Sequence, residues 1–530
     1  MFGLAILIGI YSYLIFCLGV VGQLYTRNIF IITVLFLAFS FYYHRKDIFS
    51  FLRKEHTPIK LDNLSKTLLV LIVAALIVNL VGALGPELGF DALWYHLTLP
   101  KIFLTEHRIF HITGGLFYYS DFPKLVEMYY ISALSFSNEI AAKLIHFSFG
   151  LLALFALYKF SRKFLDIKYS LLAVVVLLGN LVFAWESTTS YVDLAWTFFE
   201  IMALWGFVEW YSSKERKWII ESGVMLGLAI STKLIAFSSV PIFIILFLLF
   251  QKDKKEAIKN SALFTIISII VSSPWFIYSY LNTGNPFYPL FTNLYPTSLN
   301  AAIFNPINAF NDLFNVFLRA ADPISPIYLI FIPLLVMVYK KFDKNLKIIT
   351  VFSVLAILSW YFIPRTGGGR FILPYLPIFS LLTAGVLTSL KSVWIKKYAI
   401  GLCILICIIT IAYRGLANSK FIPVVLGFQT KDQFLIKNLN FEYGDFYDTD
   451  HSFTDNLKPS DSLLLYGFHN LYYADFNFID SSYVRKGDRF NYVAVQNADV
   501  PGRFSHWNLV YENPSTHVKL YSLGGTTWHY

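Results

Sequence analysis

Long apolar runs recur from end to end of this 530-residue chain, and polar or charged loops separate them. A helix needs about 20 consecutive apolar residues to cross the hydrocarbon core of a bilayer, so such runs predict membrane spans. With 56% of the residues hydrophobic and only 14% charged, a string of soluble domains is excluded. The sequence therefore predicts an all-α polytopic membrane protein.

The apolar runs predict about thirteen spans, some of them shorter than 20 residues. They lie near 4–22, 28–43, 67–84, 140–160, 168–185, 191–211, 218–232, 234–250, 258–280, 326–340, 347–363, 371–390 and 397–414. The pair on either side of Ser231–Lys233 could instead form a broken or re-entrant hairpin.

Basic residues concentrate in alternate loops, at 44–66, 161–168, 212–217, 251–259, 340–347 and 391–397. Lys and Arg mark cytoplasmic loops, so this pattern predicts a cytoplasmic amino terminus and, with an odd number of spans, an extracytoplasmic carboxyl terminus. The net charge of +10 fits these loops and anionic lipid headgroups, and does not indicate nucleic acid as a partner. We expect a multi-pass protein of the cell membrane.

Composition divides the chain into three parts. Residues 1–66 hold two spans that precede the core and a basic cytoplasmic loop. Residues 67–414 form the transmembrane core, with outer loops at 85–139, 281–325 and 364–370. Residues 415–530 are typical of a small extracytoplasmic α/β domain, because strand patterns occur at 462–467, 491–496 and 517–524 and a helical pattern at 431–439.

The first outer loop contains the segment Pro86–Pro100, with the sequence PELGFDALWYHLTLP. A carboxylate at membrane depth is costly, so Asp91 is expected to have a function and a partner. The alternative is that Asp91 caps a helix beginning at Ala92. Apolar residues recur at helical spacing from Ala92 to Phe110, and we expect this segment to lie along the membrane interface.

Other charged residues fall on the same predicted face. Asp193, with Glu186 just upstream, opens the sixth span and could act with Asp91, cap a helix or pair with a cation. Lys233, Arg365 and Arg370 could bind phosphate, and for them exposure at the interface is the alternative. Asp91 and Asp193 could also hold a divalent cation, although no metal-ligand spacing is recognisable. Aromatic clusters such as Phe117–Tyr119 could stack on sugars or belong to an interfacial belt.

The order of these motifs resembles the polytopic GT-C glycosyltransferases, in particular the branch of aminoarabinose transferases and protein O-mannosyltransferases. The resemblance spans about residues 67–390 and rests on FDALWYHLTLP (90–100), YVD (191–193), GLAISTK (227–233), SPW (273–275) with TGNPFYPLF (283–291), and GRFILPYLP (369–377). Many relatives have an acidic pair in the first loop. Here Ala92 follows Asp91, and Glu87 is out of register.

The resemblance implies an inverting transfer of a sugar from a polyprenyl-phosphate donor, reached from the outer leaflet, to a glycan, lipid or protein acceptor. It implies that Asp91 is the general base, that Asp193 is the second aspartate, and that Lys233 and Arg370 bind the donor phosphate. We add Arg365 to the phosphate-binding residues, and we expect Tyr95, His96, Glu87 and Tyr191 to line the substrate site.

Three other functions stay open from the sequence alone. A ligase or polymerase of polyprenyl-diphosphate-linked glycans would differ only in its donor. A transporter or flippase of lipid-linked sugars would place charges near mid-membrane in two related halves, whereas these charges gather at one face. A sugar-binding membrane protein without catalysis would keep Asp91 apart from the cations.

Overall fold

The computed structural model describes residues 1–53, 60–295, 305–363, 368–522, 524 and 527–530, with the backbone alone described at 46–53. A bundle of helices is followed by a small domain with a β-sheet. The first half of the bundle comprises α1 (Phe2–Val20), α2 (Thr26–Arg53), α3 (Asn63–Ala83), α4 (Thr98–Thr105), α5 (Leu125–Phe136), α6 (Glu139–Ser161), α7 (Ile167–Leu178), α8 (Leu181–Glu186), α9 (Asp193–Ser213) and α10 (Arg216–Thr232).

The second half comprises α11 (Ser239–Phe250), α12 (Lys254–Thr283), α13 (Pro306–Phe314), α14 (Ile327–Val338), α15 (Lys344–Phe362), α16 (Leu376–Ser389) and α17 (Val393–Asn418). All thirteen predicted apolar runs are largely helical, and the run 168–185 is divided between α7 and α8. Among the described residues, seven helices are long and apolar enough to cross a membrane: α1, α2, α3, α6, α12, α15 and α17. The predicted polytopic helical fold is confirmed.

Aspartate side chains begin several of these helices next to the basic loops. Asp62 accepts a hydrogen bond from the Ser65 N–H at 2.8 Å before α3, and Asp343 accepts one from the Leu346 N–H at 2.8 Å before α15. Such caps satisfy backbone donors that have no partner within the helix. The local sequence thus sets where the spans start.

Helix α9 occupies the centre of the bundle, and α6, α10, α15 and α16 pack against it. Its side chains are buried on every face, as expected of a helix with no solvent-facing stripe. The first residue of α9 is Asp193, and the antiparallel helix α10 ends beside it at Thr232. The chain therefore brings Asp193 and Lys233 to the same end of the bundle.

The carboxyl-terminal domain contains the helices α18 (Ile422–Val425), α19 (Lys431–Asn438) and α20 (Ser452–Asn456). Its strands are β1 (Ser462–Tyr466), β2 (Asn477–Asp480), β3 (Arg489–Phe490), β4 (Tyr492–Gln496), β5 (Asn508–Asn513), β6 (Val518–Ser522) and β7 (Trp528–His529). A five-stranded sheet has the order β2-β1-β4-β6-β5, with β2, β1 and β4 parallel and β6 antiparallel to both neighbours. The α/β domain expected from the sequence is present.

This domain packs on the first outer loop. Leu99 and Phe103 of α4 are fully buried in one apolar core with Leu463 and Leu465 of β1. The apolar face of the amphipathic segment is thus buried within the protein, where α4 packs on α5 and shares a core with the carboxyl-terminal domain, and its position along the membrane interface stays a prediction. Sequence periodicity identifies an apolar face but not what packs on it.

Candidate active site

Asp91 lies in the connection after α3, at the start of a single π-helical turn, Ala92–His96. Its side chain makes no capping hydrogen bond to that turn, so capping does not account for it. One carboxylate oxygen, Oδ2, instead accepts hydrogen bonds from the Tyr95 hydroxyl at 3.1 Å and from Arg370 Nη2 at 2.7 Å. Isolated π turns are frequent at functional sites, where they change the direction of side chains.

Four charged residues singled out in the sequence meet in one cluster. Arg370 joins the two aspartates, because its Nε donates to Asp193 Oδ2 at 3.1 Å while its Nη2 contacts Asp91. Lys233 Nζ donates to Asp193 Oδ1 at 2.6 Å. The Lys233 ammonium is thus paired within the protein, and snorkelling to the surface does not describe it.

A third carboxylate, Glu186 at the end of α8, lies at the same site. Its Oε1 is 3.5 Å from Arg370 Nε, and neither of its oxygens has a hydrogen-bond partner within the described part of the chain. The side chain is completely buried. Three carboxylates thus surround two cations.

Burial and charge act in opposite directions on Asp91. Burial alone raises the pKa of this carboxyl, but the Arg370 guanidinium, followed by His96 and Lys233, holds the pKa below its ordinary value of 3.8. With 19% of its side chain exposed, the carboxylate can still be reached from outside. Asp91 is therefore ionised at neutral pH and accessible.

Helix α6 holds the two aspartate segments in place from behind. Lys143, which is fully buried, donates to the carbonyls of Gly82, Gly85 and Pro86 at 2.9, 2.8 and 3.1 Å, next to the Asp91 segment. One turn later, the His146 ring lies 2.8 Å from the Thr189 carbonyl and accepts from the Leu194 N–H at 3.1 Å, next to Asp193. A single rigid helix thus sets the separation of both segments.

The four residues expected to line the substrate site have different positions. Tyr95 contacts Asp91 directly, and the Tyr191 hydroxyl accepts the Asp91 N–H at 3.1 Å while its ring lies 4.4 Å from the Arg370 guanidinium. His96 is buried behind them with its Nδ1 at 2.8 Å from Glu127.

Glu87 is also buried, and its carboxylate accepts backbone N–H groups from both segments. Oε1 binds those of Leu88 and Gly89 at 2.9 and 2.7 Å, and Oε2 binds that of Ser190 at 2.6 Å. The structure therefore places Glu87 as a brace between the first outer loop and the start of α9.

The carboxyl-terminal domain also binds the Asp91 segment. The Tyr473 hydroxyl donates to the Glu87 carbonyl at 2.9 Å, and the Tyr472 N–H donates to the Leu93 carbonyl at 3.3 Å. These bonds lie on either side of Asp91 in the sequence. The domain thus completes the support of the site.

A tight turn of two glycines sets the position of Arg370. Gly368 has a φ of +74°, which L side chains rarely adopt, and the Gly369 N–H donates to the Asp322 carbonyl at 3.1 Å. A Cβ on Gly369 would lie 2.6 Å from that carbonyl oxygen and 2.9 Å from the Ile324 side chain. Only glycine lets the chain pass this close to its neighbours.

We expect Gly369→Ala to lower the free energy of unfolding by about 1–3 kcal/mol, because the added methyl group overlaps a fixed backbone atom. Gly415→Ala in α17 is the matched control, since nothing lies within 4 Å of a Cβ there. The measurement is denaturant unfolding of both variants in one detergent. Equal stability of the two variants would show that the turn relaxes without cost.

Arg365 lies outside the described residues, so its proposed phosphate contact stays a prediction. Within the described ranges, no group of three or more His, Cys, Asp and Glu side chains could hold a metal ion. Asp91 and Asp193 are instead bridged by Arg370, so the divalent cation considered for this pair also stays a prediction.

The sequence does not point to several residues of the site. Lys143 and His146 lie inside a long apolar run, where buried polar side chains mark function or structure, and this signal could have identified them. Asp322 acts through its backbone carbonyl, which no sequence pattern reports. The sequence identifies Glu186 only as a neighbour of Asp193.

Comparison with known proteins gives one family match and several similar folds. Residues 128–278 match the family described as dolichyl-phosphate-mannose-protein mannosyltransferase. No curated protein sequence matches the chain.

Two solved structures of ArnT from Cupriavidus metallidurans have the same fold at 13% sequence identity. The apo form has a TM-score of 0.56 and the form bound to undecaprenyl phosphate one of 0.53, each covering 86% of this chain and 97% of that one. A further similar structure is the archaeal oligosaccharyltransferase AglB from Archaeoglobus fulgidus, with 13% sequence identity and a TM-score of 0.47. The match covers 87% of this chain and 74% of the AglB chain.

Proposed function

We propose that this chain is a membrane glycosyltransferase of the GT-C class, and that it transfers a sugar from a polyprenyl-phosphate donor to an acceptor hydroxyl with inversion at the anomeric carbon. The observation that carries the proposal is the cluster in which Arg370 joins Asp91 to Asp193, with Lys233 beside it. A carboxylate base and phosphate-binding cations are what this reaction needs.

The donor phosphate belongs with Arg370 and Lys233. Guanidinium and ammonium groups donate several hydrogen bonds to phosphate oxygens, and in this cluster carboxylate oxygens accept those bonds. The structural relative bound to undecaprenyl phosphate supports a lipid monophosphate as the donor carrier. A donor phosphate that enters the site therefore competes with the three carboxylates for the hydrogen bonds of the two cations.

This competition activates the base. A carboxylate bound to Arg370 is a weak base, because the cation stabilises its ionised form. When the donor phosphate takes over the Arg370 hydrogen bonds, Asp91 loses that stabilisation and its basicity rises. Asp91 is then a stronger base with a donor bound than without one, which suppresses premature proton abstraction.

The transfer itself is a single displacement. The oxygen of the acceptor hydroxyl forms a bond to the anomeric carbon, and Asp91 accepts the proton of that hydroxyl. At the same time the bond between the anomeric carbon and the phosphate oxygen breaks. The bonding electrons leave with the phosphate, where Arg370 and Lys233 stabilise the developing charge. The products are the glycosylated acceptor and polyprenyl phosphate.

The site lies at the end of the bundle to which the first outer loop and the carboxyl-terminal domain belong. The basic loops at the opposite end support a cytoplasmic amino terminus and an extracytoplasmic site. We therefore place the acceptor outside the cytoplasm, where the lipid-linked donor is reached from the outer leaflet.

The proposal is tested with the purified full chain in nanodiscs, labelled polyprenyl-phosphate sugars and a cell-envelope extract as the pool of acceptors. We expect label to move into a new product, with release of polyprenyl phosphate and an inverted anomeric configuration by NMR. Consumption of only diphosphate-linked donors would instead identify a ligase or polymerase. Movement of intact donor between leaflets without bond cleavage would identify a flippase.

A further inference from the structure

Beside Asp91, five aromatic side chains form one continuous surface, here named the aromatic wall: Phe90, Trp94, Tyr118, Tyr119 and His469. They come from the π-helical turn and the residues just before it, from the later part of the first outer loop and from the carboxyl-terminal domain. Three separate parts of the chain thus contribute rings to one surface. The proposed displacement at Asp91, Arg370 and Lys233 does not use the wall.

The rings contact each other in sequence across the wall. The His469 ring stacks on Phe90 at 4.7 Å between centroids and lies 4.4 Å from Trp94. Trp94 in turn lies 5.8 Å from Tyr118 and 5.2 Å from Tyr119. Phe90 is 40% exposed and the other four rings are half-buried, so ring surface stays accessible.

Tyr95 connects the wall to the proposed base. Its ring lies 4.4 Å from Tyr119, and its hydroxyl donates to Asp91 Oδ2. That same oxygen is bound by Arg370, which belongs to the phosphate side of the site. In an inverting displacement the acceptor and the leaving phosphate lie on opposite faces of the sugar. An acceptor therefore approaches Asp91 from the side that does not face Arg370. Tyr95 and the wall lie on that side.

From this placement we infer that the aromatic wall is the acceptor subsite and that the acceptor is a saccharide. This inference rests on the proposed function. A pyranose ring has one face of C–H groups, which packs on an aromatic face, and a rim of hydroxyls, which bond to polar groups. The wall offers both, since the Tyr118 and Tyr119 hydroxyls lie 3.1 Å apart and His469 carries a polar ring.

Other classes of acceptor fit the wall less well. An extended peptide is usually bound by backbone hydrogen bonds to the edge of a sheet, whereas the wall is built from helical turns and loops. A lipid chain needs contiguous apolar surface, and here hydroxyl and imidazole groups interrupt it. None of the five rings carries a fixed charge, so a polyanionic acceptor is not favoured.

The test measures binding and not transfer, so that it is independent of catalysis. Saturation-transfer NMR is recorded on the full chain in nanodiscs with methyl glycosides and disaccharides of glucose, galactose, mannose and N-acetylglucosamine, and with a Ser/Thr-containing hexapeptide. We expect saturation of pyranose C–H protons. Phe90→Ala and Tyr118→Ala should weaken saccharide binding roughly threefold to tenfold, as for the loss of one stacked ring pair.

Three variants serve as controls. Phe90→Tyr keeps its ring and should keep binding, and Tyr118→Phe keeps the ring but loses a hydroxyl, so it should weaken binding less than Tyr118→Ala does. Trp394→Ala removes a ring that is 68% exposed at the start of α17 and should leave binding unchanged. Binding of no saccharide, binding of the hexapeptide alone, or equal binding by the two alanine variants and wild type would overturn the inference.

A second measurement needs no variant and so does not depend on folding. A diazirine-bearing glycoside bound to the wild-type chain should label peptides containing Phe90–Trp94 or Tyr118–Tyr119, and labelling elsewhere would overturn the wall as the subsite. Saccharide binding without any transfer would refute the proposed function and leave the wall as a saccharide-binding site that is not an acceptor subsite. Transfer to a non-saccharide acceptor would keep the proposed function and refute the subsite.

Discussion

Replacing Asp91 by asparagine should lower the rate of sugar transfer by about 10²–10⁴-fold, the usual contribution of a general base. Asparagine has nearly the same shape and can still accept the Tyr95 hydroxyl, but it takes no proton from the acceptor. The measurement is initial-rate transfer with a polyprenyl-phosphate sugar. Thermal unfolding of the same preparation shows whether the fold is kept.

The matched control for this variant is Asp475→Asn on the outer surface. The Asp475 side chain is 84% exposed and pairs only with Lys101 among the described side chains, so its loss should leave transfer unchanged. Polyprenyl phosphate should still stabilise the Asp91→Asn variant against heating, since the phosphate-binding cations are intact. A transfer rate above a tenth of that of wild type would remove Asp91 as the base.

Replacing Arg370 by glutamine should lower transfer by about 10²–10³-fold, because the charge that stabilises the leaving phosphate is lost. It should also destabilise the fold by roughly 3–5 kcal/mol, since Asp91 and Asp193 are left without their shared buried partner. Arg370→Lys keeps the charge but cannot reach both aspartates with a planar fork. We expect the transfer rate of Arg370→Lys to lie between the rates of wild type and Arg370→Gln.

The pH profile tests the same contact in a second way. In wild type without donor the pKa of Asp91 lies below 3.8, so this carboxyl is ionised at every pH above about 5 and its titration does not limit kcat/KM there. Without Arg370, burial dominates and raises the pKa of Asp91, so the carboxyl binds a proton at higher pH. The acidic limb of kcat/KM should therefore move to higher pH in Arg370→Gln. An unmoved limb would show that Arg370 does not control Asp91.

Charge at membrane depth is the signal that made most of the site predictable. Asp91, Asp193, Lys233 and Arg370 each break the expected pattern of their surroundings, and they meet in one cluster. The helices were predictable for a similar reason, because a spanning helix needs a long apolar run. In both cases the physical requirement concerns residues that are adjacent in the sequence, so it can be recognised from the sequence alone.

Features that depend on distant contacts leave no such signal in the sequence. Nothing in the sequence near Glu87 indicates that its carboxylate binds the Ser190 N–H, 103 positions away. The strands β2 and β5 lie at the edges of the sheet and are partly exposed, so they lack the continuous apolar runs of β1 and β4 and the alternation of β6. A helix cap and a catalytic aspartate also look alike in sequence, and only the hydrogen bonds of Asp91 separate them.

The bond from the Tyr473 hydroxyl to the Glu87 carbonyl joins residues 386 positions apart. A ribosome adds about 5–20 residues per second, so on the order of 20–80 seconds pass between synthesis of these two partners. Throughout that interval the Asp91 segment is already made but has no cover from the carboxyl-terminal domain. The site is thus completed late in the synthesis of the chain. A nascent chain that stalls before residue 473 lacks the contacts of the carboxyl-terminal domain with the Asp91 segment.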